Sequence, residues 1–344
     1  MNTLHLITSL AELNALQSRT TGLPCLAPHL FEQHQPDAHW VLTQAGAIAA
    51  HCSLWWRGTA QDLGKRLGYI GHYDAQNSDV ASELLQHACE HLKQMGCEMA
   101  IAPIDGNTWR RYRALSDRGS VPLFFLEPDN PDAWNEQFQQ AGFVPLAEYF
   151  SALNTDLTQR DPRLATVEAR LQTAGVTVRS LDLQHFETEL TRIFHLSEIS
   201  FRHNFLYTPI DLSEFLQQYA QVKPYVKPEL VLLAEHDHQL VGFLFATPDW
   251  LQAQRGDPLN TLVIKTVAVM PGRMYAGLGS VLVARVQAIA HQLGYSRAIH
   301  ALMHEQNNSR NLSDRYAKPF RRYTLYAKPL LTRTDVNQRE FGIS

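Results

Sequence analysis

The stretch from Met270 to Tyr295, MPGRMYAGLGSVLVARVQAIAHQLGY, decides how this chain is read. It leaves an apolar, β-branched run, TLVIKTVAV, that reads as a strand. It crosses a loop holding Gly272, Gly277 and Gly279, then enters a run with helical apolar spacing that stops at Gly294. The first N–H groups of a helix have no partner inside it, and the macrodipole adds partial positive charge there. A phosphate is held at such a place if the backbone comes close, which residues without a Cβ permit. Arg273 adds a mobile cation and Ser280 a hydroxyl. The spacing fits neither common phosphate signature: G-x-G-x-x-G lacks its third glycine, and no Gly-Lys-Ser/Thr follows. Taken alone, the loop is read equally well as a tight strand-to-helix connection.

An earlier segment lies on this one at an offset of 198: Ser82 falls on Ser280, Leu84 on Leu282, Gly96 on Gly294, and Ala100-Ile101 on Ala298-Ile299. Loop and helix lengths agree without a gap, which favours an internal repeat. The glycines are not repeated. Gly277 falls on Asp79, Leu278 on Val80 and Gly279 on Ala81. An aspartate suits the helix start as cap or dipole partner but repels a pyrophosphate. The first copy is therefore expected to keep the fold and lack the loop chemistry.

The remaining elements fit two units. In the first, helical pieces fill the opening forty residues, and a hairpin turns at Ala45-Gly46. RLGYIGHY and CEMAIAPI are strands, AWNEQFQQAG is a helix, and FVPLAEYFSALNT closes the unit with strands. The polar stretch DLTQRDPR, 156–163, marks a boundary between units 1–157 and 164–335. The second unit restarts with the strand VTVRSLDL, two helices, a hairpin at 236–238 and a last strand, RRYTLYAKPL.

Composition narrows the function. The chain has 344 residues, 45% hydrophobic and 19% charged, enough to bury a real core. A net charge of -4 argues against a nucleic-acid protein held by a broad basic surface. No apolar run has membrane-spanning length and no basic leader precedes an apolar block, so a cytoplasmic protein without membrane attachment is expected. The four cysteines have no CxxC spacing, and His87 with His91 lack a third ligand, so no metal is expected.

The downstream segment HEQNNSRNLSDRYAKPFRRYTLYAKPL adds a resemblance. The chain resembles the GCN5-related N-acetyltransferase (GNAT) superfamily. Its Q/R-x-x-G-x-G/A signature falls on Met274–Gly279, with Met274 in the first position. KTVAVMP is similar to the family's fourth strand, Asn308 to Tyr316 to its later Asn-then-Tyr segment, and YAKPF to Tyr-x-Lys-x-Gly-Phe. The resemblance is firm over 229–330, and the whole chain looks like a tandem bacterial type with a degenerate N-terminal half. It implies an α/β fold of the α+β, mixed-sheet kind: two tandem domains, each a mostly antiparallel twisted sheet flanked by helices.

What the resemblance implies chemically is direct transfer of acetyl from acetyl-CoA to an amine of a small molecule or peptide, with no metal. The cofactor would lie in the splay between the fourth and fifth strands. Ala268, Val269, Arg273, Met274, Ala276, Gly277, Leu278, Gly279, Ser280, Asn308 and Tyr316 would contact it. N–H groups around Val269 would polarise the thioester carbonyl, and Tyr316 would be the general acid. The fourth strand has no Glu or Asp, so His300, His304 and Glu305 are the nearest titratable groups, with His304 the candidate base. Acceptor contacts would come from Glu198, Phe201, Asn204 and Tyr207. A further polar and aromatic set runs from His72 to Gln76 and from Asp105 to Tyr112. A homodimer is compatible with this reading. Two alternatives stay open: a non-catalytic coenzyme A-binding module, and a tandem GNAT-like aminoacyl transferase, which would not need the glycine loop.

Overall fold

The periodic runs become a single continuous sheet in the computed structural model, which describes residues 2–61, 63–306 and 317–331. The first half contains β1 (Asn2–Ile7), α1 (Leu10–Gln17), β2 (Thr21–Gly22), α2 (Pro28–His34), β3 (Ala38–Gln44) and β4 (Ala47–Trp55). It continues with β5 (Leu67–Ala75), α3 (Ser78–Gln94), β6 (Met99–Ala102), β7 (Ala114–Asp117), α4 (Ala133–Gln140) and β8 (Val144–Asn154). The second half contains α5 (Arg163–Thr173), β9 (Thr177–Ser180), α6 (Phe186–Phe201), α7 (Leu212–Ala220), β10 (Val231–His236) and β11 (Gln239–Pro248). It ends with α8 (Trp250–Arg255), β12 (Thr261–Val269), α9 (Leu278–Gln292), β13 (Arg297–His304) and β14 (Lys318–Pro329).

The strand order is β1-β3-β4-β5-β6-β14-β8-β13-β12-β11-β10-β9, with β2 beside β4 and β7 beside β14. Pairing is antiparallel except at β5–β6, β12–β13 and the short β2–β4 contact. The halves exchange their last strands. β8 pairs with β13 of the second half (Ala298↔Asn154, Ile299↔Leu153), and β14 pairs with β6 of the first (Tyr326↔Ala102, Ala327↔Ile101). The stretch expected to close the first unit thus completes the sheet of the second. Side-chain alternation sets which face a strand buries but not which edge it joins. Alternation on β14 serves two cores: Tyr323, Leu325 and Ala327 pack beneath the centre of the sheet, while Tyr326 packs with Phe138 under α4.

α9 forms because Leu278, Val281, Leu282, Val286 and Ala290 fall on one face, all buried against β11 and β12. Gly242 on β11 lets it approach: a Cβ there would meet Leu278 Cδ2 at 2.9 Å. The helix start is thereby fixed over the sheet edge.

Three readings need correction. The opening residues are not all helical, since β1 pairs with β3 at the sheet's edge. α5 was not read because its buried residues are only Leu164 and Leu171, two turns apart, too sparse a stripe. The repeat offset holds from the helix onward but not before it. Only Gln76 and Asn77 separate β5 from α3, whereas residues 270–277 separate β12 from α9. The glycine loop is an addition to the second copy.

Candidate functional site

The loop after β12 is built so that its backbone donors stay free. Met270 N–H still donates to Val241 O (2.8 Å), the chain turns through Arg273–Tyr275, and Gly277 begins α9 at φ +85°. No side chain caps this helix, so the first-turn N–H groups of Leu278, Gly279 and Ser280 lack intrahelical acceptors. Arg170 of α5 donates to Met274 O (3.0 Å) and Ala276 O. In a trans peptide, holding the Ala276 carbonyl toward α5 turns the Gly277 N–H away from it. Val167 packs below, where a Cβ on Gly277 would meet its Cγ1 at 2.8 Å. The His236 ring and Tyr275 Oη (3.0 Å) tie the loop to the β10–β11 turn. Arg273, Met274 and Ala276 are exposed around it.

The equivalent place in the first half is closed. The Asn77 side chain accepts from Asp79 N (3.1 Å) and Val80 N (3.2 Å), occupying those donors, and Asp79 adds negative charge. The cap is Asn77 rather than Asp79.

β12 and β13 pair in parallel only from Thr261↔Arg297 to Ile264↔His300, then splay. Met270 N–H and the Phe243↔Ala268 register turn Ala268 toward β11, so strand alternation leaves the Val267 and Val269 N–H groups on the splayed edge. Ala268 is buried, and its N–H faces β11. Lys265 sits at a β-bulge: Thr266 opposes Phe245 and Ile264 opposes Ala246, leaving it no counterpart.

A cleft of about 870 Å³ opens at the splay and is walled by both halves. Thr108, Trp109, Tyr112, Arg113 and Tyr149 come from the first half; Phe201 at the end of α6, with Asn204 and Tyr207 of the α6–α7 connection, comes from the second. Trp109 Nε1 donates across to Thr208 O (2.9 Å) and holds the walls together. Lys265 Nζ donates to Leu126 O (2.6 Å). Burial and the nearby Arg113 guanidinium push its ammonium down to about 7, against the pull of Glu127. Arg113 lies between the rings of Tyr112 (4.1 Å) and Tyr149 (4.2 Å) and donates to Leu302 O (3.2 Å). Arg113, Leu126 and Leu302 all have positive φ (65°, 64° and 60°). Such strain costs roughly 1–2 kcal/mol per residue and gathers at functional sites.

The expected residues fall as follows. His304 lines the cleft edge-on to Tyr149 (4.8 Å), and burial followed by Arg113 lowers its pKa. Its Nδ1 accepts from Gln306 N (3.0 Å), so the neutral ring carries its proton on Nε2 and presents a donor there. His300 is 4% exposed, with Nε2 engaged by Gln287. Glu305 pairs with Arg322 (2.7 Å). Phe201, Asn204 and Tyr207 line the cleft, but Glu198 pairs with His195 (3.2 Å) outside that lining. Of the first-half set, Trp109 and Tyr112 line it; Arg110 is spent on Glu214 (2.7 Å), and His72, Tyr73 and Asp105 are buried. Asn308 and Tyr316 lie outside the described residues. His87 and His91 pack on Trp40, and the described residues contain no metal-binding cluster of three or more ligands. No described helix is long and apolar enough to cross a membrane. Lys265, Arg113 and Arg170 were missed. The only sequence signal was Lys265's place as the one charge in TLVIKTVAV.

The molecule thus places an open helix start, behind a glycine loop, beside a splayed parallel strand pair. Residues 190–315 match the Acetyltransferase (GNAT) family, and the chain has the fold of GNAT proteins. It is 22% identical over 327 residues to Protein YghO of Escherichia coli (strain K12), covering 85% of this chain and 82% of the relative. Two solved structures share the fold. A GCN5-related N-acetyltransferase from Anabaena variabilis ATCC 29413 is 10% identical, with TM-score 0.52 over 96% of this chain and 73% of that one. The GCN5-related glucosamine N-acetyltransferase region of a fungal multi-domain GH3 beta-N-acetylglucosaminidase is 15% identical. Its TM-score is 0.55, over 95% of this chain and 38% of that one.

Proposed function

We propose that this protein is an acyl-CoA-dependent N-acyltransferase that moves acetyl from acetyl-CoA to an amine acceptor, with the cofactor held by the second half alone. The observation that carries the reading is the contrast between the two helix starts: Gly277 leaves its donors open, while Asn77 fills the corresponding ones. The fit to coenzyme A rests on the uncapped first turn of α9, which Gly277 starts at φ +85° and close against Val167, where no side chain has room. Leu278, Gly279 and Ser280 N–H would hold the pyrophosphate, with Arg273 beside them. Bound there, acetyl-CoA supplies an activated acyl thioester.

The chain's own residues do the rest. Val267 and Val269 N–H donate to an oxygen placed on the splayed edge, in a setting where preorganised donors count for most. The rings of Trp109, Phe201 and Tyr207 limit water around the acceptor. An ammonium acceptor must lose a proton before it reacts. Lys265 Nζ suits that role better than His304, because its pKa near 7 supplies a neutral amine at physiological pH, whereas the His304 Nε2 already carries a proton. His304 then orients the acceptor as a donor. Tyr316 remains the proposed acid from the family resemblance. The first half supplies a wall of the acceptor cleft. Thiol release from acetyl-CoA with a panel of amines tests the reading: amine-dependent release supports it, and tight binding without release under any amine overturns it.

A further inference from the structure

The acceptor side of the cleft carries an uncompensated positive charge. Arg113 is 8% exposed, yet its only hydrogen bond from the guanidinium among the described residues is Nη1 to Leu302 O. Its Nε is buried without a partner, and no described carboxylate lies within ion-pair distance. Two tyrosine faces offer cation–π contact but no counter-charge. Arg202 adds a second cation to the same lining, and among its described residues there is no Asp or Glu. Burying a guanidinium with one hydrogen bond and no anion is costly unless something else completes the pairing. The strained backbone at Arg113 and Leu302 shows that the fold bears a further cost to hold the group there.

We propose that the acceptor is an amine that also carries a carboxylate, and that Arg113, contributed by the first half, anchors that carboxylate. The inference rests on the acyltransferase reading and narrows its substrate. A polycationic amine would meet repulsion in this cleft; an amino acid or a peptide terminus brings the missing charge. The aromatic walls from Trp109, Phe201 and Tyr207 favour an apolar side chain on the same molecule. Arginine is suited to this role because its planar fork meets a carboxylate in two parallel hydrogen bonds. Burial first, and then Arg113, depress the Lys265 ammonium, and an arriving carboxylate would make that amine a stronger base. This gives the first half a role its closed helix start denies it: it reads the acceptor, not the cofactor.

The test pairs L-amino acids, beginning with L-phenylalanine, with their carboxamides as acceptors for the full chain, reading thiol release from acetyl-CoA. The carboxylates should exceed the amides at least tenfold in kcat/KM. Arg113→Gln should raise KM for the carboxylates at least tenfold and erase that preference, leaving the Kd for acetyl-CoA unchanged. Arg113→Lys should restore part of the preference. If Arg113→Gln does not fold, the wild-type ratio still decides. Amides used as well as carboxylates, or a preference that survives Arg113→Gln, would overturn the proposal. So would an Arg113 effect confined to donors with a charged acyl group, such as succinyl-CoA. No transfer to any amine by a chain that binds acetyl-CoA would overturn the acyltransferase reading, and this proposal with it.

Discussion

Acid should weaken this protein through His300 by an amount set by its neighbours. Asn154 Nδ2 donates to Gln287 Oε1 (2.7 Å), and Gln287 Nε2 faces His300 Nε2 at 3.2 Å. The chain of donors leaves His300 Nε2 as acceptor, so the ring is neutral with its proton on Nδ1. Protonation would set N–H against N–H in a site that is 4% exposed, and burial pushes the pKa down from 6.5 to about 4. The unfolded chain takes up this proton near pH 6.5 and the folded chain only near 4. The contribution to stability is therefore complete above pH 6.5 and drains as pH falls toward 4. At roughly 1.4 kcal/mol per pKa unit, the loss from pH 7 to pH 5 is about 2 kcal/mol. Urea unfolding of the wild type and His300→Gln at both pH values measures it. The variant starts less stable, but its loss between pH 7 and 5 should be smaller by about 2 kcal/mol. Equal losses in both proteins would refute the reasoning. His72, also 4% exposed and pushed down to about 3, first by burial and then by Arg111, loses stability in the same window. The wild type's total loss should exceed the His300 share.

Two further outcomes follow from the cleft and the strand exchange. Because Lys265 becomes neutral as pH rises through about 7, wild-type kcat/KM should climb through that pH and level off. Lys265→Met should lower the rate about 10²-fold or more and remove the inflection; an inflection that persists would exclude Lys265 as the base. Arg321 on β14 pairs with Glu127 at 2.6 Å, both side chains fully buried, and burial already raises the Glu127 pKa. Arg321→Met removes that carboxyl's counter-charge, leaving it the Tyr323 hydroxyl and Phe124 N–H as donors, and should cost about 3–5 kcal/mol in urea unfolding, partly recovered by adding Glu127→Gln. A loss below about 1 kcal/mol would show that the pair is not buried as described.

The sequence made the cofactor loop legible because its chemistry is local. Glycines between a strand and a helix have one set of consequences wherever the strand lies, and the helix and strand from Leu278 to His304 follow their periodicity closely. The acceptor side was illegible for the opposite reason. Arg113 meets Tyr149 of β8 and Leu302 of β13, strands that lie together because they pair across the halves, and no local pattern records which edge a strand will join. Lys265 faces the cleft through a bulge, which period-two alternation does not announce. Arg170 steadies the loop from α5, whose stripe of two buried leucines was too thin to read. Glu198 was named from its place in the right segment, yet His195, one turn away, pairs with it outside the cleft lining.

Calorimetric titration of the full chain with coenzyme A is the most direct test of the claim that one open helix start holds the cofactor. The account predicts one equivalent bound per chain, with binding abolished by Gly277→Val, where φ +85° and Val167 leave no room for the side chain. Two equivalents per chain, or unchanged affinity in a folded Gly277→Val protein, would contradict it.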